Sequence, residues 1–389
     1  MNILFIIMTS IYSNASSVLR NKALIDGLMK NGYEIHILTI DNSASNPYND
    51  KSIKWDKKIK IISLKKNNIY SALTKSENTI RGRIKKNSLP FIRKIYHTFS
   101  IFDNTVSIAK KVNKECLPRD HYDFIISSSD PKTSHITANK LITSGLKYGK
   151  WIQYWGDPLT IDITKKTIYP HFILKHIEKK MLSSSDKIIY VSPFTLDSQK
   201  KLFPEFSNKM HFLPTPVTFN ESNNSCDTTK NDHKYTIGYF GSYTSKVRNL
   251  IPLYNVCKNN ELNLIIAGGS DLELKSTNNI SIYSRITQEK VNEYEKECYI
   301  LVCVLNKVGT QIPGKVYHYA STSNPILIIL DGEYKDEMRK YFDDYNRYVF
   351  CENDEKTIFA AIEKIKHDNK QYKPCLDFEP KNIASLFLE

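Results

Sequence analysis

GTQIPGKVYHYASTSNPILIILD, residues Gly309–Asp331, is the stretch whose reading decides the fold. Gly309, Pro313 and Gly314 mark a loop that opens into a short helix carrying Tyr317 and Tyr319, and beyond Asn324-Pro325 the apolar run Ile326–Leu330 reads as a buried strand. The first turn of such a helix presents unpaired backbone N–H groups and a partial positive charge, and Lys315 adds a full one. An anion, a phosphate above all, is the ligand this chemistry favours. A Gly-Pro loop ahead of a helix is also ordinary punctuation, so the surrounding chain has to decide between the two.

Outward from that stretch, short apolar runs alternate with helical patterns along the whole chain. Asn2–Met8 reads as a first strand, SNASS at Ser13–Ser17 as a polar turn capping a helix from about Val18 to Lys30, and Glu34–Ile40 as a second strand after the stop at Asn31-Gly32. No G-x-G-x-x-G follows the first strand, which argues against a dinucleotide in this half. Further strands are predicted at Tyr122–Ile126, Trp151–Tyr154 and Lys187–Val191, with helices from Asp130-Pro131 to about Ser144, over Tyr169–Ser183 and after Ser192-Pro193. The composition then changes: TFNESNNSCDTTKNDHK, Thr218–Lys234, has almost no apolar residues and reads as a linker. Beyond it come strands at Thr236–Phe240, Asn263–Ala267, Ile280–Ser284 and Ile300–Leu305, helices at Gln288–Glu297 and Glu355–Ile365, and an apolar tail end, Ile383–Leu388. At 389 residues the chain is long for one core and suits two.

Ligands of open α/β sheets sit beyond the carboxyl ends of the strands, and those ends supply the candidate residues. Gly156-Asp157-Pro158 ends the strand Trp151–Tyr154, and Asp157 reads as an acceptor-binding or basic carboxylate or as the start of a turn. His135, in the first turns of its helix, is a catalytic candidate or a residue of the polar face. Gly241-Ser242 ends the strand Thr236–Phe240, where a glycine lets backbone approach a ligand, with Lys246 and Arg248 one loop away. Gly268-Gly269-Ser270 ends the next strand.

Four segments together, Tyr235–Leu250 (YTIGYFGSYTSKVRNL), Leu264–Gly269 (LIIAGG), Trp151–Pro158 (WIQYWGDP) and the opening stretch, resemble the bacterial glycosyltransferases of the GT-B architecture, family 4 most of all, and the resemblance spans most of the chain. It implies an α/β fold of two Rossmann-like doubly wound domains facing a central cleft: an acceptor-side domain 1–217 with the tail 372–389 crossing back to it, a linker 218–234, and a nucleotide-sugar donor domain 235–371. It places Gly241, Ser242, Lys246, Arg248, Gly268, Gly314, Lys315 and His318 on the donor, Ser13, Asn14 and Ser16 on the acceptor, and Asp157 and His135 at the chemistry. It also implies retention of anomeric configuration. The family carries two glutamates eight positions apart in the segment matching Gly309–Asp331, the second holding the donor ribose; here those positions read Thr310 and His318. Members reading P-x-K-x-Y-E-Y match more closely, with His318 standing for their Glu, so His318→Glu is expected to be tolerated. Related enzymes also often carry an Arg-Asp pair where this chain reads Gly156-Asp157. No Asp-x-Asp motif is present, and no metal and no cofactor is expected, the nucleotide sugar being a substrate. An epimerase of nucleotide sugars with the same double layout, and a non-catalytic scaffold that has lost the glutamate pair, are the alternatives.

Charge completes the reading. The chain carries a net +14, and residues 51–114 alone hold seventeen Lys and Arg against Asp56, Glu77 and Asp103, so the remainder is close to neutral. Trp55, Phe91, Ile92, Ile95, Tyr96, Phe99 and Phe102 lie among those charges, the composition that attracts an anionic membrane surface at roughly 1 kcal/mol per basic residue. No nucleic-acid-binding motif accompanies it, and no nucleic acid partner is expected. The seven cysteines show no CxxC spacing, and no apolar run is long enough to span a bilayer. A cytoplasmic protein, peripheral on the inner face of the cell membrane and acting on a glycan or lipid-linked acceptor, is the expectation.

Overall fold

The computed structural model describes residues 1–41, 48–65, 98–163, 167–219, 235–368 and 370–389. Among the Ile- and Leu-rich runs, Asn2–Ile7 (β1) and Glu34–Ile40 (β2) show no alternation of buried and exposed positions: every residue from Ile3 and from Ile35 onward is buried. That is the pattern of parallel strands covered on both faces. With Lys60–Leu64 (β3), His121–Ser128 (β4), Lys147–Trp155 (β5), Lys187–Tyr190 (β6) and Met210–Phe212 (β7) they form a parallel sheet in the order β3-β2-β1-β4-β5-β6-β7. Ile3 sits opposite Ile35 on one side and Phe124 on the other. The sheet grows outward in both directions from the β1–β4 pair, so the loops at the carboxyl ends of these two strands part there and leave room for a ligand.

Among the described residues the helices of this unit are Ser16–Lys30 (α1), Val106–Ala109 (α2), Thr133–Thr143 (α3), His171–Ser183 (α4) and Pro193–Leu202 (α5). Leu4, Ile6, Leu38, Tyr122, Ile125, Leu141 and Trp151 meet in one buried cluster of this unit.

The second unit repeats the plan. Ile237–Phe240 (β8), Leu264–Ala267 (β9), Ile280–Tyr283 (β10), Ile300–Val304 (β11), Ile326–Leu330 (β12) and Val349–Glu352 (β13) form a parallel sheet in the order β10-β9-β8-β11-β12-β13. Its helices are Ile251–Asn259 (α6), Gln288–Glu297 (α7), Gly314–Ala320 (α8), Lys335–Asp343 (α9), Glu355–His367 (α10) and Pro380–Leu388 (α11). The chain is thus α/β with two Rossmann-like sheets, dividing by contacts into Met1–Leu213 and Pro214–Glu389. In the second unit the ring of Phe378, ahead of α11, packs 4.9 Å from Tyr317 and 5.0 Å from Tyr345.

Strand and helix positions follow the expected pattern with informative exceptions. The helix after SNASS begins at Ser16, not near Val18, and its N-cap is Ala15 with no side-chain bond, so Ser13 and Ser16 do not cap it. Ser192 does cap α5, accepting from the Thr195 amide. Strand β3 went unread because its KIISL run lies inside the basic segment, and α6 because Pro252 reads as a breaker although proline suits a first helical turn. Residues 220–234 of the expected linker lie outside the described residues, as do residues 66–97 of the basic segment.

Two glycines separate packing from free space. A Cβ on Gly268 would lie 1.8 Å from the Gly241 carbonyl oxygen, backbone against backbone where β8 and β9 end, whereas one on Gly314 would meet nothing within 4 Å. Gly268→Ala is expected to destabilise by about 1–3 kcal/mol in urea unfolding, and Gly314→Ala to stay within about 0.5 kcal/mol of the parent.

Candidate functional site

In the second unit, the loops after β8 and β11 carry a linked set of polar groups. Arg248 donates from Nε to Asn306 Oδ1 (2.8 Å) and from Nη1 to the Ser242 carbonyl (3.1 Å). Asn306, just beyond β11, donates in turn from Nδ2 to the Gln311 carbonyl (3.0 Å). One side chain thereby ties Arg248 to the GTQIP loop. Of the residues expected on the donor, Gly241, Ser242, Arg248 and Gly268 gather at this sheet edge. Lys246 is exposed next to Ser245, whose amide and hydroxyl bond Asp271 at 2.9 and 3.1 Å. Gly268 supports the close backbone crossing and Gly314 stands in open space.

Helix α8 is seven residues long, so its end charge is small and the side chains carry the argument. Lys315 and His318 do not stand alone. Lys315 Nζ lies 2.7 Å from Glu295 Oε1 and His318 Nε2 lies 2.9 Å from Oε2 of the same carboxylate, which α7 delivers. Burial would raise the carboxyl pKa of Glu295, yet the Lys315 and His318 charges and their hydrogen bonds bring it down to about 2. Side-chain exposures of 8% for Glu295, 27% for Lys315 and 31% for His318 show a buried anion under two half-open partners. This argues against one expectation: a glutamate at 318 would set a second carboxylate against Glu295, and like-charge repulsion disfavours His318→Glu. Thr310, the other substituted family position, is buried at 4% exposure.

In the first unit the carboxyl ends of β4 and β5 converge with α1. Arg20, from α1, stacks 4.5 Å over the Tyr154 ring and donates to Ser128 Oγ (3.3 Å) and to the Ser129 carbonyl. A Cβ on Gly156 would lie 2.7 Å from Arg20 Nη1. Position 156 carries no side chain, and the Arg20 guanidinium from α1 occupies the space beside it. Lys132 bridges Asp130 and Asp162, both at 2.8 Å. Burial opposes its charge, and the two carboxylates more than restore it, raising its pKa.

Asp157 is half-buried beside this group. Burial, then the charges of Asp130 and Asp162, push its carboxyl up to about 7. Glu178 is fully buried, accepts from the Thr160 amide (2.7 Å) and hydroxyl, and is pushed by burial up to about 7. His135 is 1% exposed, bonded from Nδ1 to Ser127 Oγ (2.8 Å) and stacked 4.3 Å from the Trp155 ring. Burial, with Lys132 and Arg20 nearby, drops its pKa to about 3, so the ring is neutral in the environment of a packing residue. Ser13 is buried with its amide on the Ser10 carbonyl (3.1 Å), Asn14 donates its amide to the Tyr48 carbonyl (2.7 Å), and Ser16 is exposed at the start of α1.

Arg20, Lys132, Glu178, Glu295 and Asn306 were not read from the sequence as site residues. For Glu295 a signal existed: it lies four residues after Val291, and both are buried on α7, so the helix turns one carboxylate inward. Arg20 and Lys132 sit among many surface cations and carry no such mark.

Asp157 and Glu178 hold protons more tightly in the folded chain than their usual values of 3.8 and 4.5, so their contribution to stability is complete below about pH 4 and is lost as pH rises through about 7. Asp157→Asn is therefore expected to flatten the fall in the urea midpoint between about pH 5 and pH 8. An unchanged slope would place that proton uptake elsewhere.

No family model matches the chain, and no curated protein matches it. Solved structures do. A sucrose-phosphate synthase from Thermosynechococcus elongatus superposes with TM-score 0.55 at 13% identity, covering 99% of this chain and 94% of that one. A glycosyltransferase from Rickettsia africae gives 0.54 at 13% identity over 99% and 92%. AviGT4, a glycosyltransferase involved in avilamycin A biosynthesis, gives 0.55 at 9% identity over 100% and 96%. At these identities the likeness is one of fold, and the fold is that of the GT-B glycosyltransferases.

Proposed function

We propose that this chain is a glycosyltransferase that takes a sugar from a nucleotide-sugar donor bound by the second unit and passes it to a glycan or lipid-linked acceptor bound by the first. A shared fold hosts many activities, so the site has to carry the reading. The observation that carries it is the Arg248–Asn306–Gln311 link at the β8/β11 switch point, where a guanidinium is fixed beside the glycine-lined strand end. Charge grows on the departing diphosphate in an oxocarbenium-like transition state, and a preorganised cation there lowers the barrier. Arg248 takes that role, with Lys246 near it and with Gly241 and Ser242 supplying close backbone.

His318 is the group for the donor ribose, held through Nε2 by Glu295 so that Nδ1 is left to meet a hydroxyl. Side-chain cations at the diphosphate make a metal unnecessary in this scheme. Retention follows from the family 4 resemblance, and the acceptor side then needs no dedicated base; Asp157 binds or orients an acceptor hydroxyl. An epimerase reading draws on a different observation, the carboxyls of Asp157 and Glu178 near neutrality, and predicts an altered free nucleotide sugar rather than a transferred residue.

The acceptor is placed at the cytoplasmic face of the membrane, as in surface-glycan assembly. The net charge of residues 51–114 supports this reading. Among the described residues no helix is long and apolar enough to cross a membrane.

Three outcomes test the proposal. Arg248→Ala is expected to weaken nucleotide-sugar binding in calorimetry by about 1.5–3 kcal/mol, the scale of a charge-assisted hydrogen bond; unchanged affinity would remove the phosphate assignment. His318→Gln, which keeps a donor toward Glu295, should bind donor better than His318→Glu; the reverse order would return the family's ribose-binding glutamate to this position. Replacing Arg81, Arg83, Lys85, Lys86, Arg93 and Lys94 by Gln should abolish flotation with anionic vesicles while donor binding persists, and flotation that survives the change would sink the membrane placement.

A further inference from the structure

Three of the apolar side chains most open to solvent lie together on the first unit. Phe99 is 60% exposed, Ile168 56% and Phe172 71%. One backbone bond and one side-chain bond bring their segments side by side: the Ile168 amide donates to the Thr98 carbonyl (3.2 Å), and the Tyr169 hydroxyl donates to the Phe99 carbonyl (3.2 Å). Phe172 follows in the first turn of α4, two residues after the capping Pro170. Single exposed apolar residues are normal on protein surfaces, whereas several converging from separate segments form a patch that asks for a cover.

The rest of α4 indicates what that cover is. Lys175, Lys179 and Lys180 follow Phe172 within about two turns, and the helix's one acid, Glu178, is turned into the core and bonded to Thr160. Lys179 pairs with Glu205 at 2.7 Å, with both side chains well exposed, and Lys175 lies 5.9 Å from the Phe203 ring, so each keeps a long stem along the surface. An apolar tip backed by lysines whose heads remain in water is the arrangement of an interfacial helix, in which the apolar groups enter the acyl boundary and the ammonium groups stay at headgroup level. Phe99 itself belongs to the segment that carries the chain's net charge of +14. Glu205 is taken up by Lys179, and the remaining charge of α4 beside the apolar side chains is cationic, which an anionic surface complements.

We propose that Phe99, Ile168 and Phe172 form an apolar wedge that enters an anionic lipid surface, with Lys175, Lys179 and Lys180 at the headgroups. The inference rests on the membrane placement above and names the structured part of the contact. Burying such side chains adds an attraction that salt does not screen, whereas charge alone, screened within a Debye length of roughly 8 Å at physiological salt, holds a protein only loosely.

The test is vesicle flotation of the full chain with phosphatidylglycerol-rich and with phosphatidylcholine vesicles, comparing the parent, the six-Gln variant and Phe99→Ser/Ile168→Ser/Phe172→Ser. The triple-serine variant is expected to lose more than about tenfold in affinity for the anionic vesicles at physiological salt while its donor-induced thermal shift stays that of the parent. A triple-serine variant that floats as the parent does, with the six-Gln variant lost, would overturn the wedge and leave the membrane placement standing. A parent that binds neither vesicle would overturn both. A parent dimer that the serine changes dissolve would assign the patch to a second copy of the chain and overturn the lipid reading.

Discussion

The carboxylate of Glu295, buried between Lys315 and His318, is the interaction on which the loops of the second unit depend. A buried anion is tolerated only when its partners are close and hydrogen-bonded, and breaking such a group by removing one member typically costs about 3–5 kcal/mol. Here the anion comes from α7 and both of its partners from the helix that follows the GTQIP loop. At the loop's other end Asn306 spans from Arg248 to the Gln311 carbonyl. The loop is thus held at both ends by side chains that no glycine or proline in it could replace, and Arg248 inherits that rigidity. A cation fixed before the ligand arrives stabilises developing charge without reorganising during the reaction.

The first unit solves the opposite electrostatic problem. Acids outnumber cations where β4 and β5 end, and Lys132 neutralises only part of the charge of Asp130 and Asp162. Burial first, and then this excess of acid, push the carboxyl of Asp157 up to about 7, above the usual carboxylate range. Arg20 moderates it from α1 while filling the space that Gly156 leaves empty. A carboxyl at about 7 serves as either donor or acceptor of a hydrogen bond near neutral pH, which is what the proposed binding of an acceptor hydroxyl uses.

The architecture was legible because parallel strands write themselves as uninterrupted apolar runs: Glu34–Ile40 and Ile326–Leu330 appear in the fold with the bounds read from the sequence. The amphipathic α7 did as well. The site was legible only where a backbone signal exists. Gly241 and Gly268 mark strand ends by their missing side chains, and Arg248 follows one of them within a loop. Glu295 and Arg20 depend on pairings between elements, at separations of 20 to 23 residues for Glu295 with Lys315 and His318 and of 108 for Arg20 with Ser128, which no local pattern encodes. Two departures from the family pattern, Gly156 and His318, read in sequence as losses. In the folded chain a guanidinium from α1 and a carboxylate from α7 stand beside those two positions.

The central claim, that the second unit binds a nucleotide sugar and the chain releases its nucleoside diphosphate, is tested most directly by incubating the protein with a panel of UDP-, GDP- and other nucleotide sugars, following thermal stability and then the nucleotide products. The account predicts that one donor class raises the melting temperature and yields free nucleoside diphosphate, and that Arg248→Ala weakens both effects. Stabilisation by no nucleotide sugar, or a donor converted to its epimer with no diphosphate released, would contradict it.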